Sequence, residues 1–177
     1  MSIVDAIGGL AGLDATLSER LRGHRPEATA AAEESLHALF DVPEHDEAPS
    51  LGRVIRLLAA ARAAYVDGAP EVAEFYAEQL GEEPDDPRLS VELALSLVRD
   101  GADGEAGDRA PRAIRSLLRH IDLLVQRPAA ATPDDLDALT AAGWGTTEIV
   151  VLSQIVTFVT YQTRVVHGLR VLQEVAR

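Results

Sequence analysis

The stretch that most constrains how this chain can fold is residues 143–177. It opens with Gly143-Trp144-Gly145, continues through Thr146 and Thr147, either of which can cap a helix, and then runs without a breaker to the last residue. Ile149, Val150, Val151, Leu152, Ile155, Val156, Phe158, Val159, Val165, Val166, Leu169, Val171, Leu172 and Val175 cover most of its circumference. A helix at the surface of a globular protein carries one apolar stripe, so a helix this apolar is either the centre of a bundle or half of a subunit contact. Its roughly 27 residues at ~1.5 Å each reach about 40 Å. That exceeds what a compact domain of this size comfortably spans, so part of the helix is expected to pack against another chain.

The remainder has the same helical period and shows no run of β-branched alternation between hairpin turns. Residues 1–25 are loosely helical and broken by Gly8, Gly9 and Gly12. Pro26 opens a helix to about Phe40, with Ala28, Ala31, Ala32, Leu36, Leu39 and Phe40 on its apolar side, because proline suits a first turn where its missing N–H has no partner. An acidic, proline-bearing loop follows at 41–49. Its adjacent Glu44, His45, Asp46 and Glu47 lack helical spacing and read as a solvated loop rather than a metal site.

Ser50 can cap a helix over 51–66 whose shared face is Val54, Leu57, Leu58, Ala61 and Tyr65. Asp67-Gly68 turns the chain and Pro70 restarts it, giving a tight helical hairpin over 51–80. A helix over 89–99 precedes a Gly- and Asp-rich segment, 100–110, that reads as a surface loop. Pro111 opens a helix to Gln126, and Thr132-Pro133-Asp134-Asp135 starts a short one that ends at Gly143, a glycine suited to a left-handed C-cap. The fold class is therefore all-α, in a single domain of 177 residues.

Composition narrows function. The net charge of −13 repels phosphate backbones and anionic lipid, which excludes nucleic-acid and membrane-surface binding as first readings. The longest greasy stretch, 149–159, falls short of the ~20 residues of a membrane span and is interrupted by Ser153, Gln154 and Thr157. The N-terminus lacks the basic start of a signal peptide, so a cytoplasmic protein is expected. The chain has no cysteine, which removes disulfides, thiolate chemistry and cysteine-ligated metals. No phosphate loop, nucleophile elbow or zinc motif is present, and no cofactor is implied.

Several motifs in order resemble the carboxymuconolactone decarboxylase / AhpD-like alkylhydroperoxidase family. Residues 132–143 read Thr-Pro-Asp-Asp-Leu-Asp-Ala-Leu-Thr-Ala-Ala-Gly, Glu148-Ile149 follows, and Arg164 with Gly168-Leu169 matches the family's closing helix, Thr163 standing where the family often has Asn. The resemblance covers about 50–172 and implies an AhpD-like helical bundle, with 1–49 as an N-terminal extension. It also implies where the redox residues belong. Leu57 falls on the family's glutamate, Arg56 on the arginine before it, Ala69 and Val72 on its Cys-x-x-Cys pair, and Tyr76 on its histidine. A thiolate must attack the peroxide and a second thiol must resolve the sulfenic acid, and none of these residues can do so.

Two functional readings follow. The first is a non-peroxidase structural or small-ligand-binding homo-oligomer, joined through the last helix, with a cysteine-bearing relative as a further candidate partner. The second is a cysteine-independent lyase or decarboxylase acting on a small carboxylate, as the resemblance allows. Its candidate catalytic residues are Arg164 and His167, which with Arg170 form a polar strip at i, i+3 and i+6 of an apolar helix. Tyr76, His120 and Tyr161 are candidate ligand contacts, and Gln154 and Gln162 are polar groups that need partners.

Overall fold

The computed structural model describes residues 5–41 and 51–175. The loop with Glu44, His45, Asp46 and Glu47 and the capping candidate Ser50 lie outside the described residues. The chain is all-α, with no β-strand among the described residues. In order the helices are α1 (Ala6–Leu10), α2 (Ala15–Arg22), α3 (Pro26–Phe40), α4 (Arg53–Val66), α5 (Pro70–Gly81), α6 (Val91–Asp100), α7 (Glu105–Arg109), α8 (Arg112–Gln126), α9 (Pro133–Ala141) and α10 (Thr146–Val175).

The centre of the bundle is α4, not α10. Every residue from Val54 to Ala64 is buried, because α3, α5, α6, α8 and α10 all pack against α4. Its five alanines from Ala59 to Ala64 present so little side chain that neighbours can close in from every side. Tyr65, expected on the inner face, is instead half exposed at the end of the helix. Ile7 and Ala11 of the N-terminal region and Ala32 and Phe40 of α3 share one hydrophobic core with the hairpin, α8 and α10.

Two arginines survive in the central helix because each has several acceptors. Arg56 donates from Nε to the Leu51 carbonyl at 2.6 Å and from NH1 to the Leu39 carbonyl at 2.7 Å, tying α4 to the end of α3. Burial pulls its pKa below the ordinary arginine value. Arg62 forms a two-pronged pair with Asp122 of α8, at 2.8 and 2.7 Å, and donates NH1 to the carbonyls of Val98 and Arg99. Gly101 makes room for it: a Cβ there would lie 2.5 Å from the guanidinium, and the residue's φ of +65° suits glycine as well.

Segment 100–110 is not an open loop. It holds α7, and Ala102, Ala106 and Ala110 reach the core, while Asp100 Oδ2 accepts the Ala106 N–H at 3.0 Å. Three alanines at i, i+4 and i+8 supply an apolar face that the surrounding glycines and aspartates mask in the sequence. The helix before it, α6, starts at the N-cap Ser90, whose hydroxyl accepts from Leu93 N.

The corner leading into α10 forms as its residues dictate. Gly143 adopts φ +101° and Trp144 N bonds back to the Leu139 carbonyl, stopping α9. Trp144 Nε1 donates to the Ala113 carbonyl at 2.9 Å and its ring carries the Arg88 guanidinium at 5.0 Å. The clamp on the first turn of α10 is Glu148 rather than a threonine hydroxyl. Its Oε2 accepts from Gly145 N and its Oε1 from Arg88 NH1, both at 2.9 Å. From there α10 runs for 30 residues, about 45 Å. The apolar run 149–159 is short, but the helix that carries it is long and apolar enough to cross a membrane by length and composition alone.

Candidate functional site

The α4–α5 hairpin holds Leu57, Ala69, Val72 and Tyr76, the positions singled out in the sequence. Gly68, at φ +77°, lets the chain reverse, Ala69 N bonds the Ala64 carbonyl, and Pro70 occupies the first turn of α5. Leu57, Val72 and Tyr76 are each 0% exposed, and Ala69 is partly buried. Apolar side chains fill the space between the two helices. None of these four residues lines any of three prominent cavities among the described residues.

Tyr76 is a structural hydrogen-bond donor. Its hydroxyl donates to Gln162 Oε1 of α10 at 2.8 Å, and its ring packs on Phe40 at 5.1 Å and edge-on to Phe75 at 5.0 Å. Burial pushes the phenol far above its ordinary pKa, so it stays neutral and neither gives up nor takes a proton near neutrality. Gln162 finds its partner inside its own chain, not across a subunit contact, although its Nε2 is buried without one. Two further polar contacts fasten α10 to the hairpin. Thr163 donates its hydroxyl to Asp67, and Arg170 pairs with Glu71 and donates to the Leu10 carbonyl.

The strip of Arg164, His167 and Arg170 therefore divides. Arg170 is a fastener between α10, α5 and the N-terminal region. Arg164 and His167 are exposed, make no hydrogen bond or ion pair among the described residues, and line none of the three cavities. The structure brings no second polar group to them to form a pocket.

His120 stands elsewhere, on α8, and lines a polar cavity of about 500 Å³ with Ser116, Gln126, Arg127 and Asp135. It is buried, its Nδ1 has no partner, and burial lowers its pKa while the Asp135 charge opposes the shift. Asp135 is held as a carboxylate by the N–H and hydroxyl of Thr132, both at 2.8 Å, and so caps α9. Of the other charges of this cavity, Arg119 pairs with Asp103 and Asp122 with Arg62, while Arg127 makes no ion pair among the described residues. Among the described residues no three His, Asp or Glu side chains are placed to hold a metal ion.

Tyr161 lines the largest of these three cavities, an open-sided groove of about 1090 Å³ between α3 and α10. One wall is the small-residue face of α3, including Ala28, Ala31, Ser35 and Ala38; the other runs along α10 from Ile149 to Tyr161, with Leu136 at an end. None of its fourteen lining residues carries a charge, in a chain with 29 acidic side chains. Sequence reading put Ala28 and Ala31 on the apolar side of α3. The signal for the groove was present in their size: alanine and serine recurring at i, i+3, i+7 and i+10 leave a helix face too shallow to fill the space beside a helix of β-branched residues.

A buried glutamate escaped notice as well. Glu33 of α3 is 6% exposed and accepts the Ala6 N–H at 2.9 Å, anchoring the start of α1. Burial raises its pKa; the Ala6 hydrogen bond opposes this and the nearby Asp5 charge adds to it. No family model, no curated protein and no solved structure matches this chain.

Proposed function

We propose that the chain is an AhpD-like helical protein without thiol chemistry, a non-peroxidase that acts by binding and self-association. The observation that carries the proposal is the packed hairpin. At the positions where the resemblance calls for an acid, two thiols and a histidine, Leu57, Ala69, Val72 and Tyr76 close the space instead. A peroxide would find neither a nucleophile nor a cavity there. The uncharged groove between α3 and α10 and the polar cavity beside His120 supply surfaces for binding, and α10 supplies the face for self-association.

The exposure of Arg164 and His167 weighs against a lyase acting on a small carboxylate, since an arginine clamp and an imidazole base need a shared, water-excluding pocket. The test is turnover of a small hydroperoxide by the purified, metal-free protein with a dithiol reductant present. No rate above the protein-free control is expected. A sustained catalytic rate would sink the proposal. In parallel, native mass spectrometry of the protein as purified reports oligomer size and any ligand carried.

A further inference from the structure

The exposed side of α10 has a regular spacing of its own. Val150, Gln154, Thr157, Tyr161, Arg164, Gly168, Val171 and Val175 are all exposed and follow one another at alternating steps of four and three residues. That is the heptad spacing by which one helix keeps a single seam facing another. The seam runs 26 residues, or about 38 Å. It extends past the end of the α3–α10 groove, so its length matches a helix and not a small molecule. It carries no acid in a chain of net charge −13.

We propose that residues 150–168 of this seam bind the same residues of a second copy, antiparallel, about a two-fold axis at the level of Val159 along the helix. The proposal rests on the self-association reading above and names its contact. The argument is self-complementarity, which an isologous two-fold interface requires. With the axis at that point Tyr161 faces Thr157 of the partner subunit, Arg164 faces the partner's Gln154, and Gly168 faces the partner's Val150. Each layer joins a larger side chain to a smaller one, and the single cation meets a neutral amide acceptor.

A parallel pairing in register does the opposite. It sets Arg164 against its own copy, stacks Tyr161 on Tyr161 of the partner subunit, and leaves a gap between two glycines. In the antiparallel arrangement the first half of each seam, which is also one wall of the groove, receives the second half of the partner's α10. The alanine face of α3 then lets that helix lie close. Gly168 is suited to this, since a Cβ built on it meets nothing within 4 Å inside its own chain.

The absence of native cysteine makes the test clean. A Val150→Cys/Gly168→Cys double variant, oxidised or bridged by a short bis-maleimide, is expected to give a cross-linked dimer, whereas each single variant gives little. An intrachain bridge is excluded because the two positions lie about 27 Å apart along one helix, beyond disulfide reach. Native mass spectrometry of the unmodified chain should give a dimer, and Gly168→Arg should raise its dissociation constant at least tenfold with an unchanged far-ultraviolet circular dichroism spectrum.

Cross-linking by Val150→Cys alone at the yield of the double variant would overturn the antiparallel register. An oligomer that resists Gly168→Arg and is not captured by the double variant would overturn the seam while leaving self-association standing. A monomer at all concentrations would sink both. Insertion of α10 into neutral phosphatidylcholine vesicles, seen as protection of a cysteine at 168 from a soluble maleimide, would assign the seam to lipid and overturn the proposal.

Discussion

Helices α4 and α10, both rich in apolar residues, have opposite fates. Helix α4 contains three arginines and a run of alanine, yet eleven consecutive residues of it, Arg56 and Arg62 included, are buried. Helix α10 is longer and richer in valine, leucine and isoleucine, yet one face stays exposed from end to end. What separates them is the number of neighbours that can reach each one. Small side chains let five helices approach α4, and its two buried guanidiniums are long enough to find carbonyls and Asp122 beyond the apolar layer. The bulk of α10 fills the space on its inner side, and about 45 Å of helix outruns the neighbours available.

The comparison is most sharply tested by a truncation in each helix. Leu57→Ala, in the filled hairpin, should cost about 2–5 kcal/mol of unfolding free energy, because the surrounding helices cannot collapse into the space. Urea titration measures it. Arg62→Met should cost on the order of 3 kcal/mol, since it strands Asp122 and two carbonyls that now share one guanidinium. A loss as small as that of a surface substitution would mean that α4 is not the centre described here.

The polar link between the two helical regions comes next. Tyr76→Phe should cost about 1–2 kcal/mol by leaving Gln162 Oε1 buried and unbonded, while Tyr76→Phe combined with Gln162→Leu should recover part of that loss. A double-mutant cycle with no coupling would deny the contact.

The buried histidine predicts a pH dependence of definite sign. His120 has a folded-state pKa below its ordinary value of 6.5, so the unfolded chain binds the proton more readily. Its contribution to stability is fully present above pH 6.5 and is lost as the pH falls through that value to the lowered folded one. Urea midpoints of the unmodified chain should therefore fall across this window relative to His120→Leu. Parallel curves would refute the assignment.

The smallest effect belongs to the exposed face of α10. Arg164→Ala and His167→Ala should each change monomer stability by less than about 0.5 kcal/mol, measured at dilutions that prevent association, because both side chains are exposed and make no hydrogen bond or ion pair among the described residues.

Much of the local structure was legible in the sequence, since it depends on contacts a few residues apart. Pro26, Pro70 and Pro133 begin helices, Gly68 and Gly143 reverse or stop the chain, and the starts of α3, α5 and α9 follow. Segment 100–110 was misread because Ala102, Ala106 and Ala110 hide among turn formers, and only burial against the neighbouring helices makes those alanines a face. Glu33 was missed because its partner, the Ala6 N–H, lies 27 residues away. The strip of Arg164, His167 and Arg170 was visible as a spacing, but its members parted company only when Glu71 arrived beside Arg170.

By itself the sequence determined that the chain is helical, that thiol chemistry is absent, and that the last helix is too apolar and too long for one ordinary neighbour. Residue types and short-range periodicity suffice for those conclusions. Only the tertiary structure decided which helix is central, that the hairpin is filled, and which face of α10 remains uncovered. Those outcomes depend on which distant surfaces meet, and side-chain volume and charge pairing across long separations are not written in the period of any one helix.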